Sequence, residues 1–227
     1  ACRRCTMTAW SSGDIVGPDG EDWRVPVSEL AARQARLGVM LAEAGLPGAL
    51  IQHPVDLYYY GGGRQDGSLF IPANGAGGSE EAGGDGPVAF VRRSPKRAQW
   101  EAGGDDAPHQ VTAFPRLSTF SQTLAEMGVR EAPALQVGEA PASFIARFAS
   151  ALSSLGDAGD VTATVHRQRE VKSAWELEQM DIGASIQLRM FEAVQAVGGE
   201  GVSELDMVAA AEAVSRSEGF GGNVQMR

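Results

Sequence analysis

The residues whose types could carry covalent or metal chemistry in this chain are three histidines, two cysteines and a few neighbouring carboxylates. His53, His109 and His166 are scattered among loop and strand-end positions. None has a carboxylate or second histidine at metal-ligand spacing in a common element, so each reads as a surface or turn histidine and not a ligand. Cys2 and Cys5 form a CxxC, but a structural zinc site needs four ligands and no second Cys pair or nearby His pair supplies the rest. A redox dithiol would start a helix after a strand, whereas this pair opens a Gly-, Ser- and Arg-containing segment that reads as a tail, so both thiols are taken as incidental. Glu176 and Glu178 fall about 200 degrees apart around a helix and cannot converge on one substrate. Glu80-Glu81 and Asp105-Asp106 lie in glycine-rich loops and read as solvated charge. Gly61-Gly62-Gly63-Arg64 lacks the Lys-Ser/Thr of a P-loop and the spacing of a dinucleotide turn, which leaves a tight turn as its reading. No G-x-S-x-G motif occurs, so serine hydrolysis has no support.

The elements that must position such residues follow from hydrophobic period. Ser28 is a candidate N-cap for a helix carrying Leu30, Leu37, Met40, Leu41 and Ala44 and stopping at Gly45. Ala49-Leu50-Ile51 is a short apolar strand, and Asp56-Leu57-Tyr58-Tyr59-Tyr60 leads into the triple glycine. Leu69-Phe70-Ile71 and Val88-Ala89-Phe90-Val91 are further strands, joined by a segment from Asn74 to Gly86 without apolar periodicity that reads as a long hairpin loop. Helices are expected at 96–102, 117–127 and 143–155, with strands at 134–137 and, as a β-branched run, at 161–165. This alternation indicates an α/β domain over 24–166 with a mixed sheet, since the glycine-rich loop joins adjacent strands directly. Tyr58 and Tyr59 favour core packing, while Tyr60 is balanced between core and surface.

Beyond 166 the texture becomes helical. Ser173 with Glu176 has the spacing of a capping box, ahead of a long helix through Met180, Ile186, Phe191 and Val197. Gly198-Gly199 ends it, and Ser203 with Asp206 starts a second helix. Two helices in an antiparallel pair leave an outer apolar side with nothing in the chain to cover it. Gly219-Phe220-Gly221-Gly222 then turns the chain, and 223–227 reads as the opening of a strand without a partner, so the chain is expected to stop inside a domain. Nineteen Lys plus Arg against 29 Asp plus Glu give a net charge of -10, which disfavours nucleic acid and anionic membranes and makes a cationic or neutral partner more natural. No apolar run approaches the roughly 20 residues of a membrane span, and no signal-peptide core is present, so a cytoplasmic location is expected.

Arg169-Glu170-Val171-Lys172-Ser173-Ala174-Trp175-Glu176-Leu177-Glu178-Gln179-Met180, followed by a long helix and Gly201-Val202-Ser203-Glu204-Leu205, resembles the R-x-x-K-S-x-x-E-(I/L) entry to the pita-bread catalytic domain of the creatinase, prolidase and Xaa-Pro aminopeptidase superfamily. Upstream, Ala49-Leu50-Ile51, Asp56 to Gly61 and Val91-Arg92-Arg93 resemble the creatinase-type, ribonuclease H-like N-terminal domain that precedes it. The resemblance runs from Val25 to Arg227. It implies an α/β domain at 24–166 and, at 167–227, the truncated helical start of an α+β pita-bread domain, after a tail at 1–23. The Asn74 to Gly86 loop is longer than the resemblance leads one to expect.

What this implies is hydrolysis of an X-Pro peptide bond by two divalent ions, manganese, cobalt or zinc, held by two Asp, one His and two Glu. Those ligands would lie after Arg227, so this chain is expected to hold no metal and to be inactive alone. The resemblance also places the turn after the tyrosines at an active-site mouth, often that of the neighbouring subunit of a homodimer. Tyr60, Arg64 and Gln65 are therefore candidate substrate-binding residues for a proline-containing peptide, with Arg64 suited to meet a peptide carboxylate bidentately. A non-catalytic peptide- or protein-binding module of the same superfamily is the alternative.

Overall fold

The computed structural model describes residues 24–74 and 86–219. The readings that fall on 1–23, 75–85 and 220–227, including the cysteine pair, the tail, most of the long loop and the terminal strand, lie outside the described residues. The chain divides into two compact units, one comprising Arg24–Val171 and the other including Lys172 to Gly219.

The first unit is built on a five-stranded sheet of order β4-β3-β2-β1-β5, from β1 (Gly48–Ile51), β2 (Gly67–Pro72), β3 (Val88–Val91), β4 (Gln110–Ala113) and β5 (Ala134–Leu135). β2 runs antiparallel to both β1 and β3, while β1 pairs β5 and β3 pairs β4 in parallel, so the sheet is mixed. Period-two alternation sends successive side chains to opposite faces, and both faces are covered. Ala49, Ile51, Leu69 and Ile71 pack on one side with Leu37 and Leu41 of α1 (Val27–Glu43), Tyr59 and Tyr60 of α2 (Pro54–Gly61) and Val165 of α6 (Thr162–Glu170). Leu50, Phe70, Phe90 and Leu135 pack on the other with Phe120 and Leu124 of α4 (Phe120–Glu126) and Phe148 and Leu152 of α5 (Ala142–Leu152). Each buried Leu or Phe contributes about 2 kcal/mol, which explains why the central strands read as unbroken apolar runs and not as alternation.

Several expected elements shift. The run at 161–165 is not a strand but the start of α6. The Asp160 carboxylate accepts the Thr162 N–H at 2.9 Å and its hydroxyl at 2.6 Å, a local turn just ahead of the helix, and strand pairing survives only as a single bridge between Leu135 and Asp160. Desolvation pushes the Asp160 carboxyl up, but those bonds, one from Val137 N–H and the neighbouring His166 outweigh it and hold it below its ordinary value. α1 begins after Pro26 and not at a Ser28 cap. The tyrosine segment is helix α2, with Pro54 in its first turn, and β4 was absent from the sequence reading. α3 (Pro95–Glu101) falls where a short helix is expected, while the helix expected at 117–127 opens as a 3-10 turn before α4.

The second unit contains α7 (Ala174–Val197) and α8 (Glu204–Ser217). Both start with complete capping boxes: Ser173 Oγ accepts the Glu176 N–H while Glu176 returns to the Ser173 N–H, and Ser203 and Asp206 do the same. Glu176 is thereby committed to a helix start. Arg189 pairs with Glu218 at 3.0 Å across the helix pair. On α7, Leu177, Met180 and Phe191 remain more than half exposed, at 53%, 56% and 59%.

Candidate functional site

The C-terminal ends of β1, β3, β4 and β5 and the start of β2 share one edge of the sheet, because β2 alone runs against the others. Crevices at the carboxyl ends of parallel strands are where open α/β sheets expose functional loops. Here that edge carries α2 and the turn 62–66, and the surrounding polar residues are spent on fixing both.

At the start of α2, Asp56 is fully buried. Its Oδ1 accepts from Arg169 Nη1 at 2.9 Å and its Oδ2 from Gln136 Nε2 at 2.7 Å. The same Gln136 turns its carbonyl oxygen to the Gln52 and His53 N–H groups, at 2.7 and 2.9 Å, satisfying donors that the helix start would otherwise leave unpaired. A carboxylate in the first turn also suits the helix dipole. His53 Nδ1 lies 3.3 Å from Asp56 Oδ2, and Glu139 stands between two imidazoles, 2.6 Å from His166 Nε2 and 3.9 Å from His53 Nε2.

At the end of α2, Arg33 Nη1 reaches the Tyr59 carbonyl at 2.8 Å and Gln34 Nε2 the Tyr60 carbonyl at 2.7 Å, both from α1, while Gly62 N–H closes on the Tyr58 carbonyl at 3.0 Å. These are the carbonyls that a helix end leaves orphaned. Gly62 takes φ +75, and an added Cβ would lie 2.8 Å from the Glu101 carbonyl oxygen, so of the triple glycine it is Gly62 that the tight turn requires on steric grounds.

Of the three candidate residues, Tyr60 is fully buried; its hydroxyl donates to Gln168 Oε1 at 3.1 Å, and Gln168 Nε2 in turn reaches the Arg33 carbonyl. Burial, then the neighbouring Tyr59 and Asp56, push its phenol well above the ordinary value, so it stays neutral. Tyr60 supports the turn from inside and Tyr59 also packs in the core, whereas Tyr58 is 41% exposed. Arg64 is exposed on the turn itself. Gln65 is half-buried and donates to both oxygens of Glu101 at 3.2 and 3.0 Å, where Arg97 also arrives at 2.7 Å. The structure thus brings Arg64 and Gln65 together at the edge and takes Tyr60 away from it.

His109 corrects the reading of the histidines as surface or turn residues: it is buried, and its Nδ1 accepts from Gln34 Nε2 at 3.0 Å, which puts its proton on Nε2. Burial lowers its pKa to about 4. It lines both a cavity of about 30 Å³ behind the turn and a surface cleft of about 590 Å³ that Gln99, Asp105 and Gln110 also line. The buried supports Arg33, Gln34, Gln136 and Gln168 escaped the sequence reading. Their only signal was a polar residue beside apolar ones on a helix or strand, which burial of a hydrogen-bonded amide resembles no more than surface does.

Chemically the edge offers charge and hydrogen bonds. Among the described residues no histidine meets a serine or threonine hydroxyl, and no group of three or more His, Cys, Asp or Glu side chains has a geometry that could hold a metal ion. No helix among them is long and apolar enough to cross a membrane.

No family model and no curated protein matches the sequence. Solved structures do: dipeptidase PepE from Mycobacterium ulcerans, with TM-score 0.67 and 24% identity, aligns over 87% of this chain and 52% of its own. X-Pro aminopeptidase from Thermotoga maritima MSB8 aligns with TM-score 0.64 and 20% identity over 83% and 50%. Xaa-Pro dipeptidase from Bacillus anthracis gives 0.66 and 17% over 86% and 50%. The chain spans about half the length of these structures. It has their fold over that span, including a mixed-sheet α/β unit.

Proposed function

We propose that this chain is the N-terminal part of a metal-dependent Xaa-Pro peptidase, of the aminopeptidase P or prolidase type. The observation that supports the reading is the match over most of the chain to a dipeptidase, an X-Pro aminopeptidase and an Xaa-Pro dipeptidase, at about half their length. On this reading the edge formed by α2 and the turn 62–66 shapes the entrance for a proline-containing peptide. Arg64 and Gln65 face the peptide, while Tyr60 holds the turn without touching substrate. A cytoplasmic homodimer, in which the entrance serves the neighbouring subunit, belongs to the same proposal.

On this reading the two divalent ions and their two Asp, one His and two Glu ligands belong to sequence beyond Arg227; among the described residues no group has a geometry that could hold them. This chain's own contribution is to orient and to admit. The test is the continuation of the reading frame: it should supply the five ligands, and the complete parent should cleave an X-Pro dipeptide only with divalent metal. In that parent, Arg64→Ala should raise KM for X-Pro peptides by about fivefold with kcat little changed, as loss of a uniform binding contact does. Unchanged kinetics would remove Arg64 from the entrance. A parent lacking the ligands would instead be a peptide- or protein-binding module.

A further inference from the structure

Charge is distributed unevenly across the sheet of a chain whose net charge is -10. Arg92, Arg93, Lys96 and Arg97 follow β3, Arg64 precedes β2 and Arg116 follows β4, all at the same edge by the strand register. Their counter-charges there are Asp66, 3.4 Å from Arg92, and Glu101, 2.7 Å from Arg97. Arg92 is fixed by stacking on Phe114 at 4.1 Å, and Arg93, Lys96 and Arg116 are exposed. The acidic pair Asp105-Asp106 precedes β4 and so lies toward the other edge.

β4 is also the last strand of the sheet. Gln110 and Phe114 N–H groups donate to the Pro87 and Val91 carbonyls of the β3 side, so by the parallel ladder Val111 and Ala113 turn their backbone N–H and C=O outward. The strand is short and exposed along most of its length, and among the described residues no further strand covers it. An unpaired strand edge is satisfied by another peptide backbone, which a phosphate or a nucleic acid does not supply. Cations clustered at its end favour acidic side chains.

We propose that β4 is a docking edge for an extended acidic peptide segment, which adds to the sheet through Val111 and Ala113 and places its carboxylates against Arg93 and Arg116. The inference does not depend on the peptidase reading, since it concerns binding by this chain as it stands. It is tested by fluorescence anisotropy with a short fluorescein-labelled peptide of alternating Glu and Thr. Saturable binding is expected, roughly tenfold tighter than for the Lys counterpart and weakened by added salt. Arg93→Glu with Arg116→Glu should weaken it by roughly tenfold at unchanged circular dichroism. Backbone N-methylation of alternate peptide residues, which removes the ladder donors and leaves the charges, should weaken it as much. Absence of saturable binding, equal affinity for the Lys peptide, indifference to charge reversal or to N-methylation, or equal competition by an oligothymidylate would each overturn the proposal.

Discussion

Asp56 holds three chain segments with one carboxylate, since Arg169 of α6 and Gln136 after β5 converge on it beside His53 of its own segment. Removing it leaves the buried Gln136 amide without its carboxylate acceptor and takes one hydrogen-bonded ion pair from Arg169. Asp56→Ala should therefore lower unfolding free energy by about 2 kcal/mol in urea titrations, within the range for leaving a buried hydrogen-bonding group unsatisfied. His109 gives a prediction in pH. Its folded-state pKa of about 4 lies below the ordinary 6.5, so the unfolded chain takes up a proton that the folded chain refuses. Stability from this group is full above 6.5 and falls as pH drops from 6.5 to 4, by up to about 3 kcal/mol. His109→Asn keeps an acceptor for Gln34 and does not titrate, so it should flatten that share of the slope. An unaltered slope between pH 4.5 and 6.5 would show that His109 is not its source. The isolated histidine was visible in the sequence, but its burial was not, because its partner Gln34 lies on α1, far away along the chain.

At the scale of elements, α2 is short and held at both ends by other elements, so the turn after it is rigid by tertiary hydrogen bonding and not by helix propensity. Gly62→Ala brings a Cβ to 2.8 Å from a backbone oxygen at φ +75 and should cost about 3 kcal/mol, measured by thermal unfolding. Gly104→Ala has φ +71 but open space around the Cβ, and should cost only about 1 kcal/mol. Equal costs at the two sites would refute the close approach to Glu101. Helix starts were legible where local: both capping boxes in the second unit follow from the Ser-x-x-Glu and Ser-x-x-Asp spacing alone. The strand expected at 161–165 fails because the preference of β-branched residues for strands is overridden by a local turn in which the Asp160 side chain takes the Thr162 N–H.

For the whole molecule, the first unit buries both faces of its sheet within its own residues, so a 24–171 fragment should unfold in a single cooperative transition, with coincident far-UV and fluorescence curves. The net charge of -10 pointed to cationic or neutral partners, yet strand register gathers Arg64, Arg92, Arg93 and Arg116 at one edge, a pattern that composition averages away. The sequence by itself determined the alternation of strands and helices, the mixed sheet, the change to helical texture near Ser173 and the resemblance carried by Arg169 to Met180, because period, caps and short motifs are properties of neighbours along the chain. Only the tertiary structure decided that Tyr60 and His109 face inward, that Asp56 and Arg169 meet, and that β4 ends the sheet beside a basic rim. Those outcomes rest on contacts between residues tens of positions apart, whose partners and burial are fixed only when the strands find their register.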